Sequence, residues 1–141
     1  MPVKCVTEFL QEVSQLKKNK DKVEALKAND SKVLRLVLQG AFDPKVKWAL
    51  PEGKPPYKPS ILHDQEHQLV QLANKDKFLY YIEGFYPNLR STKREQMFIE
   101  LLEILDPRDA ELVCSIKDKK MPFTGISINI VKEAFPDLIN E

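Results

Sequence analysis

The sequence predicts an all-α fold, and three observations carry that expectation. Apolar residues recur at intervals of three and four along most of the chain, helix-start and helix-stop residues punctuate that pattern, and no run alternates apolar with polar residues as a half-buried strand would. At 141 residues and 43% hydrophobic, the chain has the length and apolar content for one core. One compact domain, 1–141, of about eight short helices is therefore expected.

The elements follow in order. Val6, Phe9, Leu10, Val13 and Leu16 share a helical face, with Thr7 as the expected N-cap. "NKDKVEALKAND" opens a second helix at Asn19, and "DSKVLRLVLQGAF" a third, capped by Asp30 or Ser31 with Gly40 near its end. From Asp43 to Ser60 the periodicity fails, because "LPEGKPPYKPS" holds four prolines and a glycine, so a surface loop is expected with its Pro-rich part at 51–60. Helical spacing resumes over Ile61 to Ala73, and "KDKFLYYIEGF" predicts a further helix ending near Gly84. "STKREQMFIELLEIL" places Thr92 three residues before Glu95, a capping box ahead of the apolar face Met97, Phe98, Leu101, Leu102 and Leu105. Asp106 followed by Pro107 marks the next start, and Gly125 with Ser127 the last, which Pro136 stops.

Charge and cysteine content exclude several classes. Twenty-two Lys and Arg against 21 Asp and Glu leave a net charge of +1, so any electrostatic partner is recognised by local patches rather than by a global field. Cys5 and Cys114 are too few for a disulfide framework and sit in apolar helical patterns, where cysteine acts as a small hydrophobe. No window approaches the ~18 apolar residues of a membrane span, and the first residues lack the apolar core of a signal peptide, so a cytosolic protein is expected.

Catalytic motifs are thin. His63 and His67 in "HDQEH" match the HxxEH spacing of zinc enzymes, but they are the only two histidines and lie on the polar side of a helix whose apolar residues are Leu62, Leu69 and Leu72. A solvated face is the expectation there, with no metal and no cofactor, and a zinc hydrolase is the remote alternative. The four glycines form neither a phosphate loop nor a dinucleotide fingerprint. The acidic residues Glu100, Glu103, Asp106, Asp109 and Glu111 read as a solvated surface and a helix start.

The basic segments are more informative. Free N–H groups at a helix start, flanked by Lys or Arg, make a phosphate site, and two such groupings occur. The first is Arg90, Lys93 and Arg94 with Ser91 and Thr92; the second is Lys117, Lys119 and Lys120 with Gly125, Ser127 and Asn129. Lys54 and Lys58 reach from the Pro-rich loop, where Trp48 and Tyr57 lie among lysines.

The segments "VLRLVLQGAFDPKVKWALPEGKPP" and "DAELVCSIKDKKMPFTGISINIVKEAFPDLI" resemble the all-helical N-terminal DNA-binding domain of ATP-dependent DNA ligases, in particular those of T-even-type phages. The matching residues are Lys117, Lys119, Lys120, Gly125, Ser127, Phe135, Pro136, Leu138 and Ile139. The chain is also similar to a group of small proteins of T-even-like phages, including cyanophages, through "KDKKMPF" and "VKEAFP". The K-x-D-G adenylation motif of the ligases does not occur here, so the resemblance implies a free-standing binding domain without ligase chemistry. Two functions are expected in turn: a non-catalytic protein that contacts duplex DNA backbone in the cytoplasm of an infected bacterium, or an adaptor that docks on a phage or host replication or transcription enzyme.

Overall fold

The computed structural model describes residues 5–59 and 68–139. The fold is all-α: α1 (Val6–Ser14), α2 (Asn19–Ala28), α3 (Lys32–Phe42), α4 (Gln68–Asn74), a 3₁₀ helix (Lys77–Tyr81), α5 (Ser91–Ile104), α6 (Pro107–Lys117) and α7 (Ile128–Ala134). Helix α3 sits at the centre because its Val33, Leu34, Val37, Leu38 and Ala41 bury most of its circumference. It packs on α4 and α6, while α1 covers α6 and α2, α2 covers α7, and α5 packs on α6 and the 3₁₀ helix. Among the described residues there is no strand, only a single antiparallel bridge between Trp48 and Ile82.

Several helix starts differ from their sequence expectation. Thr7 is not an N-cap: Cys5 holds that position without a side-chain bond, and Asp109 of α6 supplies the cap from across the fold. The Asp109 Oδ1 accepts from the Thr7 backbone N–H at 3.0 Å and from its hydroxyl at 2.7 Å. Beside it, Arg108 bridges Glu8 and Asp106, tying the starts of α1 and α6 together. The capping box of α5 does not form either. The helix begins at Ser91 with Arg90 as an N-cap that makes no side-chain bond, which places Thr92 inside the first turn. Ser31, Asp106 and Ser127 do cap α3, α6 and α7 as their sequence contexts predict.

The aromatic run after α4 winds as a 3₁₀ helix because Asp76 enters it in the left-handed conformation, φ 57°, which ends the preceding helix. The helix expected over Ile61 to Ala73 is described only from Gln68, and the HDQEH segment lies outside the described residues.

Candidate functional site

The basic stretch before α7 faces inward. The Lys117 side chain is 1% exposed, and its ammonium group donates to the Pro51 carbonyl at 2.7 Å, the Gly53 carbonyl at 2.9 Å and the Asp118 carboxylate at 2.6 Å. An ammonium has three donors, so this one is saturated. The Lys119 ammonium is saturated likewise, by the carbonyls of Gly40 at 2.8 Å, Asp43 at 2.6 Å and Val46 at 2.8 Å. Loss of hydration at that position lowers the Lys119 pKa, which the Asp43 charge partly offsets. Lys119 reaches the α3 end from φ 60°, a backbone conformation that a lysine adopts at a cost of about 1 kcal/mol or more.

The turn before α7 is occupied as well. Lys22 of α2 donates to the Gly125 carbonyl at 2.8 Å, and a β-carbon at residue 125 would stand 2.3 Å from the Ser14 carbonyl at the end of α1. Gly125 is thus required for close approach of two backbones. The Ser127 hydroxyl accepts from the Ile130 N–H at 3.4 Å, and α7 has only 7 residues. Lys117, Lys119, Gly125 and Ser127 therefore serve packing, which corrects the expectation that they present an open phosphate site. Lys120 and Asn129 remain exposed.

The Pro-rich loop is strapped down rather than protruding. Besides Lys117, the Gly53 N–H donates to Asp118 at 3.0 Å and the Lys58 N–H to Glu103 at 2.9 Å. Lys54 lies 3.5 Å from Glu111 and 5.3 Å from the Tyr57 ring centroid. Trp48 anchors the start of the loop: its indole N–H donates to the Gly40 carbonyl at 3.1 Å, and Gly40 leaves room for it, since a β-carbon there would stand 2.7 Å from the ring. Of the predicted cations, Lys54 and Lys120 line one depression, together with Glu111 and Asp118. The Lys58 backbone is held beside Glu103, ten positions along α5 from Lys93, roughly 15 Å at helical rise.

The second basic grouping has another character. Arg94 donates to the Tyr80 carbonyl at 2.9 Å and to the Tyr86 carbonyl at 3.0 Å, closing the turn between the 3₁₀ helix and α5. Arg90 and Lys93 stay exposed. Within that turn Phe85 is 56% exposed and Tyr86 40%, and the Tyr86 ring stacks on Tyr80 at 4.3 Å between centroids. A hydrogen bond with Tyr80, more than any other cause, raises the Tyr86 pKa. The Arg94 clamp and the ring stack hold this corner in one shape, a feature that neither residue spacing nor composition announces. Its only sequence signal is the density of aromatics in "FLYYIEGFYP".

The two free cysteines are buried and their thiols are not activated. Burial, and then the neighbouring Asp109, push the Cys5 thiol up to about 12, and burial raises Cys114. No group of three or more His, Cys, Asp or Glu among the described residues could hold a metal ion. Among the same residues no helix is long and apolar enough to cross a membrane.

Fold and surface together define a small all-helical module with a clamped aromatic corner beside a strapped, proline-walled loop. The chain belongs to a family of unknown function, DUF6433, whose model matches residues 9–122 and so spans both features. No curated protein matches the chain.

Proposed function

We propose that this chain is a non-catalytic docking module that uses its aromatic corner to bind a replication or transcription enzyme of a phage or its bacterial host, in the cytoplasm of the infected cell. The observation that carries this reading is the exposure of Phe85 and Tyr86 on a turn already held rigid by Arg94. Rigid exposed aromatics lose little conformational entropy on binding and supply much of the energy at protein interfaces. The near-zero net charge agrees with a partner recognised by shape and apolar contact.

The test is affinity capture from infected cells with the wild-type chain beside a Phe85→Ser, Tyr86→Ser double variant. The expected result is a partner retained by wild type and lost by the variant while both melt at the same temperature. Equal retention by the two would overturn the reading.

Duplex DNA is the second reading, and one observation favours it: the 14-residue α5 begins without a side-chain cap beside exposed Arg90 and Lys93. A labelled duplex titrated at low and high salt separates the two readings. Backbone contact predicts a log–log slope of about −0.9 per neutralised phosphate, reduced in an Arg90→Ala, Lys93→Ala variant.

A further inference from the structure

The loop and α5 enclose a groove distinct from the aromatic corner. It consists of a cavity of about 210 Å³ beneath the loop and a wider depression of about 510 Å³ beside Trp48, which share Leu50, Pro51 and Glu95 in their linings. Phe98 and Ile99 add apolar surface to the narrower part.

The groove's charge is one-sided. Glu52, Glu83 and Glu95 line it, against two cations, Lys54 and Lys117. Lys54 is already engaged by Glu111, and the Lys117 ammonium is saturated by two carbonyls and Asp118. The wider depression holds Glu83 and Glu95 and no base.

The backbone of the wall is a poor template for an added strand. Pro51, Pro55 and Pro56 have no N–H, and the carbonyls of Pro51 and Gly53 already accept from Lys117. An occupant is therefore held by its side chains.

We propose that this groove binds an extended peptide segment of a partner in which arginine or lysine alternates with apolar residues. The basic side chains meet Glu83 and Glu95, and the apolar ones lie on Trp48, Leu50 and Ile99. The inference rests on the docking reading but does not use Phe85 and Tyr86, which lie outside the groove lining, so each can fail alone.

Trp48 is the sole tryptophan and lines the groove, so its emission reports occupancy. The probe is a blocked synthetic peptide of about eight residues, roughly 27 Å when extended, alternating arginine with leucine or alanine. Its counterpart carries glutamate at every arginine position. The arginine peptide is expected to shift Trp48 emission saturably, more weakly as salt rises, and the glutamate peptide to leave it unchanged. A Glu83→Gln, Glu95→Gln variant should bind the arginine peptide roughly fivefold more weakly with its melting temperature unchanged, the sum expected for two partly exposed ion pairs. The Phe85→Ser, Tyr86→Ser variant should bind it as wild type does. Equal response to both peptides, undiminished affinity in the glutamine variant, or an emission change that follows protein concentration without peptide, as self-association would give, each overturns the proposal.

Discussion

Two basic clusters at helix boundaries, Lys117 to Lys120 and Arg90 to Arg94, look alike as sequence and take opposite parts in the fold. In the first, two ammonium groups saturate themselves on carbonyls of the loop and of the α3 end. In the second, only Arg94 turns inward, and Arg90 and Lys93 remain in solvent. The difference lies in the neighbouring acceptors. A proline-rich segment carries carbonyls without a matching number of N–H donors, and buried carbonyls require partners. Lys117 meets that need for the loop, and Lys119 gathers the Gly40, Asp43 and Val46 carbonyls where the chain leaves α3. In the turn before α5 a single arginine takes two carbonyls, those of Tyr80 and Tyr86.

The sharpest way to break this comparison is Lys117→Met. Removing a fully buried ammonium leaves the Asp118 charge without its counter-ion and two carbonyls without their donor, and a loss of about 3 kcal/mol in urea unfolding is expected. A change under about 1 kcal/mol would show that the lysine is dispensable to the loop. Lys119→Met should cost less, about 1.5 kcal/mol, because the residue is exposed and water can reach the carbonyls it leaves. Arg94→Ala tests the corner by the same logic: a loss of about 1 kcal/mol and faster amide exchange through 82–90 are expected, whereas unchanged exchange would mean the ring stack alone holds the turn.

Asp109 provides a pH control outside both clusters. Burial raises its folded pKa above 3.8, against the opposing effect of the Thr7 hydrogen bonds. The folded state then binds more protons than the unfolded one between 3.8 and the raised value, so this group's contribution to stability falls as pH rises through that window. Asp109→Asn keeps an oxygen for Thr7 and removes the titration. It should therefore gain on wild type as pH rises from about 3.8, and a difference that stays flat across pH would refute the assignment. The smallest effect belongs to Arg90→Ala with Lys93→Ala, expected within about 0.5 kcal/mol of wild type. A larger loss would place those side chains in the fold, beside Lys117 rather than opposite it.

Much of the fold was legible in the sequence. The apolar spacing of α1, α3, α5 and α6, and the Ser31, Asp106 and Ser127 caps, required only residues within one or two turns of each other. Thr7 and Thr92 mark where that logic fails. A threonine near a helix start can cap it, yet Asp109 displaced one, and the turn clamped by Arg94 moved the start of α5 ahead of the other. The 3₁₀ winding of 77–81 turned on one left-handed residue, Asp76, which spacing does not reveal.

The sequence by itself determined the helical class, the position of the loop and the absence of a dominant charge, because these depend on local periodicity and composition. Only the tertiary structure decided which cations face solvent and which aromatics do. A lysine's donors go to whatever acceptors the fold brings within about 3 Å, and those acceptors lie far along the chain: Pro51 and Gly53 for Lys117, Gly40 and Val46 for Lys119, Gly125 for Lys22.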